Sequence, residues 1–254
     1  MTTKTPFPRL TNPPINEVIC GFVFEPLPNF DVLDIGVYWE SRREDYPRKE
    51  LHPALFDGGG FVLNGAPALR AWMVAEADDL LLQIQSDRFF VNWRARDREY
   101  PRFSDRDKKR GLMSTAIEEL DRFTMFAKAR CGIEGLKLQR MELAKIDILK
   151  KGVHYQDVSD LGHLMKVARV FEDIQATDPS QLQLRFAESS KEEETLLNIA
   201  VGDVGVRIEA RQIVRTSSQP VPDALKAANS RLNEVFFGLF SQDQLHRFEW
   251  EEGT

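Results

Sequence analysis

The sequence predicts an α+β protein made of two tandem β-α-β-β-β-α repeats, each an antiparallel curved sheet packed on a long helix. Three observations predict it. Short turns twice separate β-branched and aromatic runs, at 68–96 and at 181–214, and closely spaced runs of this kind form antiparallel meanders. A long run with apolar residues at helical spacing follows each meander. The order of elements in 15–132 then recurs in 133–241, with ELDRFTMFAKA near 119 aligning on RLNEVFFGLFS near 231. The two sheets either join edge to edge or stand as separate lobes; the sequence leaves both open.

Residues 1–14 are rich in Pro and Thr and read as an extended lead-in. Ile15 to Glu25 is β-branched and aromatic, a strand that Pro26 ends. Asp31 caps a helix through about Asp45, with Val32, Ile35, Tyr38 and Trp39 on one face, and Tyr46-Pro47 stops it. Residues 47–67 read as a long loop, marked by Asp57-Gly58-Gly59-Gly60 and Gly65-Ala66-Pro67. Strands follow at 68–76, 80–85 and 88–96. Ser104 or Asp105 caps a helix to about Arg130, whose stripe is Met113, Ala116, Ile117, Leu120, Phe123, Thr124 and Ala127.

The second half opens with a strand over 135–149 and a short helix from Asp157 to about Val167. Strands are predicted at 181–187, 195–201 and 205–214. Pro222-Asp223 starts the last helix, with Leu225, Ala228, Leu232, Val235, Phe236 and Leu239 facing inward. Residues 242–254 form a tail containing Phe248 and Trp250.

The composition narrows the function classes. With 254 residues, 42% of them hydrophobic, the chain can bury a core without staples. A net charge of −6 opposes wholesale attraction to nucleic acid or to an anionic membrane. Cys20 and Cys131 make no disulfide framework, which suggests a reducing compartment. The first residues lack the apolar core of a signal peptide, and no run approaches the ~18 apolar residues of a membrane span. The cytoplasm is the expected location.

No motif marks an enzyme. There is no GxSxG, and His52, His154, His163 and His246 form no HxH or HExxH pattern. The Gly58–Gly60 run lacks the Lys and Ser/Thr of a phosphate loop. No cofactor and no metal are implied. Glu76, Asp78, Asp79 and Asp87 gather around two hairpin turns. A metal-dependent nuclease uses such acids, but Asp also favours turns because it hydrogen-bonds its own backbone.

Basic and aromatic residues interleave at Arg88, Phe89, Phe90, Trp93, Arg94, Arg96 and Arg98, followed by Arg102, Arg106, Lys108, Lys109 and Arg110. On a strand the faces alternate. Arg88, Phe90, Asn92 and Arg94 share one face; Phe89, Val91, Trp93 and Ala95 share the other, which is core. The first face would meet an acidic protein or nucleic acid, unless its charges neutralise the nearby acids. Arg88, Phe90, Trp93 and Arg94 are the candidate binding residues.

The segments Leu10-Thr-Asn-Pro-Pro-Ile15-Asn-Glu17-Val18, Phe24 with Pro26, Ser86-Asp-Arg-Phe89, Asn92-Trp93 and Tyr100-Pro101-Arg-Phe103 together resemble a sporadically distributed family of uncharacterised bacterial proteins of similar length. The resemblance spans the chain, with its motifs mostly in the first half. It carries no residue role. Patchy distribution implies mobile, host-defence or toxin–antitoxin cargo. The expected function is non-enzymatic binding, to another protein or a second copy of the chain, with nucleic acid as a further possibility and no membrane. The alternatives are a small-molecule binder with a pocket between sheet and helix, and the acid-dependent nuclease.

Overall fold

The structure is a computed structural model that describes residues 7–55, 69–96, 99–105, 109–169, 182–202, 205–215, 219–248 and 250–251. Its elements in chain order are β1 (Arg9–Leu10), β2 (Ile15–Phe24), α1 (Val32–Ser41), β3 (Arg48–Pro53), β4 (Leu69–Val74), β5 (Leu80–Gln85), β6 (Arg88–Arg94) and α2 (Leu112–Cys131). Then come β7 (Leu138–Leu149), α3 (Val158–Leu164), β8 (Leu182–Ser189), β9 (Glu193–Gly202), β10 (Gly205–Arg215), α4 (Val221–Leu239) and β11 (Trp250–Glu251). The fold is mixed α+β. Nine strands follow one order, β3-β4-β5-β6-β2-β7-β10-β9-β8, one of the two arrangements the sequence left open, and β1 pairs with β11 as a separate ribbon.

The chain divides into two compact units. One comprises Glu17–Leu143 with Val214–Leu225; the other comprises Met1–Asn16, Ala144–Ile213 and Lys226–Thr254. We call them the N-terminal and C-terminal units.

In the N-terminal unit, β4, β5 and β6 form the expected meander, and β6 returns to lie antiparallel to β2. Val18, Cys20, Phe22 and Phe24 alternate inward on β2 and meet Phe89, Val91 and Trp93 of β6 in register. Phe123 of α2 is the hub of this core. The rings of Phe89, Tyr38, Phe24 and Phe30 stand 4.8, 5.4, 6.0 and 6.1 Å from it, distances at which aromatic pairs attract beyond their buried area. Asp31 caps α1 as the sequence requires, in a reciprocal box with Asp34. Arg42, just past α1, makes a bidentate pair with Glu119 of α2 at 2.5 and 3.0 Å, both side chains buried.

In the C-terminal unit, β8, β9 and β10 form the second meander, with β10 beside β7. Leu149, Leu161, Leu164, Val206, Ile208, Phe240 and Phe248 share its core. The tail therefore packs: residues Gln242–Phe248 form a 3-10 helix, and Phe248 is fully buried. Two charges also enter this layer. Lys145 and Asp147, both buried on one face of β7, replace apolar residues there, and Lys145 Nζ donates to Asn233 Oδ1 of α4 at 2.7 Å. Burial raises the Asp147 carboxyl to about 7, against the pull of Lys145.

Two expectations are corrected. The 47–67 stretch, read as a loop, contains strand β3, fully paired with β4. Its sequence, RKELHP, offers no apolar face, so it gives no period-2 signal. The second long helix starts at Leu112, not at Ser104 or Asp105. Its first amides are taken by carbonyls outside the helix, Leu112 N by Arg102 O and Met113 N by Phe103 O, while Asp105 accepts from Gly111 N. The glycine runs at 58–60 and 65–67, and Arg98, Arg106 and Lys108, lie outside the described residues. No helix among the described residues is long and apolar enough to cross a membrane.

Candidate functional site

The strand alternation that builds the N-terminal core leaves a second sheet face with polar residues on it. Cross-strand register sets it in rows. His52, Arg70, Gln85, Arg88 and Val23 form one; Glu50, Trp72, Gln83, Phe90 and Gly21 form the next; Arg48, Val74, Leu81, Asn92 and Ile19 form a third. A hydrogen-bonded ladder crosses these rows diagonally. Arg70 Nη1 donates to Gln83 Oε1 at 2.8 Å, Gln83 Nε2 to Asn92 Oδ1 at 3.0 Å, and Asn92 Nδ2 to Glu17 Oε1 at 2.7 Å. It runs from a cation to an anion over four strands, and each amide's orientation is fixed by its two neighbours.

The predicted site residues all fall on β6. Arg88 and Phe90 lie on this face as expected, but they are buried, at 4% and 6% exposure, so neither offers an open surface. The Phe90 ring covers Gly21 so closely that a methyl group there would stand 2.5 Å from it. Arg88 is paired with Asp87 at 2.7 and 3.0 Å. Trp93 lies on the core face, buried, 5.1 Å from Tyr100. Arg94 donates to Asp78 at 2.7 Å.

Asp78 gathers the basic run. Arg48, Arg94 and Arg96 all reach its carboxylate, at 2.9, 2.7 and 2.6 Å. The hydrogen bond from Arg96 and the neighbouring guanidiniums hold its carboxyl below the usual range. The acids that a nuclease reading needs are thus engaged by arginines at Asp78 and Asp87. No cluster of three metal-ligating side chains occurs among the described residues.

Three donors find no acceptor. Arg70 Nε, Trp72 Nε1 and Arg94 Nε are buried without a partner, and Arg70 makes no ion pair among the described residues. Arg70 stands over the Trp72 ring at 5.5 Å, and His52 packs on the other side of the row, 4.0 Å from that ring. Sequence reasoning missed Arg70, Trp72, Gln83 and Glu17 as a group. They lie on three strands, and only the register brings them together.

Among the described residues, β3 is the last strand of the sheet order beside this face. Each of its charges has a neighbour within the unit. Arg48 pairs with Asp78, Lys49 Nζ sits 3.5 Å from the Trp39 ring centroid, and Glu50 meets His52 at 3.1 Å. Apolar groups are left outside. Of the eight large hydrophobics exposed among the described residues, five are on or next to α1 and β3: Val32, Leu33, Val37, Leu51 and Leu55. Leu33 is 71% exposed and Leu51 60%.

In the C-terminal unit, Leu161, Met165, Leu184, Ile199 and Val206 help line a void of about 10 Å³, the room of a single water. No family model matches the chain, and no curated protein and no solved structure is significantly similar to it.

Proposed function

We propose that the chain is a non-enzymatic binding protein that takes an extended segment of another protein along β3, with the apolar surface of α1 beside it. The observation that carries this reading is the state of β3: the last strand of the described sheet order, whose charged side chains are each paired within the unit while Leu51 and the α1 residues Leu33 and Val37 are exposed. Edge strands pair readily with added strands, and clustered exposed apolar groups mark interaction surfaces. The reading moves the docking surface off Arg88, Phe90, Trp93 and Arg94, whose side chains are buried or ion-paired. A toxin or defence effector, the partner class the family resemblance implies, suits such a surface. The tandem duplication belongs to the same proposal, since each half folds a three-strand meander back beside its own first strand.

Affinity purification from the native host tests it. The tagged chain should bring down one stoichiometric protein, and Leu33→Glu with Leu51→Lys should lose it while melting as the parent does. Retention of the partner by the double variant contradicts the reading. Co-purifying nucleic acid in place of protein, seen by ultraviolet absorbance, contradicts it as well.

A further inference from the structure

We propose that Arg70 and Trp72 hold an oxyanion, the carboxylate or phosphate group of a ligand, on the polar face of the β3–β6 sheet. The site is separate from protein docking at β3 and stands or falls without it.

Hydrogen-bond bookkeeping leads there. Arg70 Nε and Trp72 Nε1 are both buried and both lack an acceptor. The two residues are next-but-one neighbours on β4, so their side chains share a face, with the guanidinium 5.5 Å from the indole centroid. Arginine and the indole nitrogen only donate, so neither can satisfy the other. The ladder supplies no further acceptor. Gln83 Oε1 already takes Arg70 Nη1, and Gln83 Nε2 is a donor, giving a proton to Asn92 Oδ1. Gln85 is also spent, on the Leu55 backbone and Asp87. What the pair lacks is an acceptor from outside the sheet.

Charge selects an anion over a neutral acceptor. Among the described residues Arg70 has no carboxylate partner, whereas its neighbour across the row, Arg88, is paired with Asp87. Desolvation, and then repulsion from Arg88, hold the Arg70 guanidinium below its ordinary pKa. An oxyanion relieves both: it neutralises Arg70 and takes a proton from each orphaned N–H. The free edge of a guanidinium whose Nη1 is tied to Gln83 presents Nε–H and Nη2–H in parallel, the fork that fits two oxygens of one carboxylate or phosphate. The ladder and the stacked His52 and Trp72 rings hold that fork in place.

The test uses the full chain, titrated calorimetrically with inorganic phosphate and with benzoate, chloride serving as the control anion. Saturable binding of either oxyanion but not of chloride is expected, and which of the two binds tells phosphate from carboxylate. Trp72→Phe keeps the ring and removes the donor; it should weaken binding about tenfold, and Arg70→Gln should weaken it further. Arg96→Gln, on the surface, should leave it unchanged. Two results overturn the proposal: no saturable binding of either oxyanion, which leaves water as the missing acceptor, or binding that survives both Trp72→Phe and Arg70→Gln. Trp72→Phe changes no charge and keeps an aromatic side chain, so it decides the matter even if Arg70→Gln fails to fold.

Discussion

The sheet order ends in two strands of opposite character. β8, in the C-terminal unit, is exposed along Arg185–Glu188, and charge guards it. Glu188 pairs with Arg231 at 2.6 Å, and the adjoining turn carries Lys191, Glu192, Glu193 and Glu194. Such charges discourage edge-to-edge pairing. β3, in the N-terminal unit, carries Arg48, Lys49 and Glu50, each engaged by a neighbour: Asp78, the Trp39 ring and His52. Composition alone would rate both strands as protected. The difference lies in what flanks them: a charged turn beside β8, and the exposed Leu51, Leu33 and Val37 on β3 and α1.

The units also bury charge differently. Glu119 is held by both arms of Arg42, whose own protonation is opposed by burial but favoured more strongly by Glu119. Asp147 has only the attraction of Lys145 against full burial. A buried carboxylate with a bidentate partner can remain charged; one without it tends to hold its proton.

The largest effect is expected where pairing is tightest. Glu119→Ala strips buried Arg42 of its bidentate partner and leaves it the more exposed Asp45, and should cost about 3 kcal/mol in chemical denaturation. A loss under 1 kcal/mol would mean that the pair contributes no more than a surface bridge.

Asp147 gives the next effect, with a pH signature. Its folded pKa of about 7 lies above the ordinary carboxylate value. Between the two, the native state holds a proton that the unfolded chain has lost, so stability falls as pH rises through that window, by at most about 1.4 kcal/mol per unit. Asp147→Asn should remove this slope, melting well above the parent at pH 8 and close to it at pH 4. Parallel melting curves for the two proteins across that range would refute the assignment.

The smallest effect separates the two edges. Phe186→Lys on β8 and Leu51→Lys on β3 should each change stability by less than about 0.5 kcal/mol, as surface substitutions do. Only the β3 change should weaken partner capture, by about tenfold. Equal loss from both would erase the distinction between the strands.

Much of the fold was legible in the sequence. The cap at Asp31, the stripe around Phe123 and both meanders follow from local periodicity and turn chemistry. What was illegible has a common cause. β3 has no apolar alternation, its residues being exposed except the half-buried His52, so it reads as loop. Glu17, Arg70, Gln83 and Asn92 become a ladder only through register, which no single strand encodes. The strand arginines were correctly placed on one face, but their burial depends on partners such as Asp87 and Asp78.

Amide hydrogen exchange on the partner complex, compared with the chain alone, tests the central claim most directly. The account predicts slowed exchange along 48–53 and over α1 in the complex, with β8 unchanged. Protection confined to β8, or spread over neither edge, would contradict it.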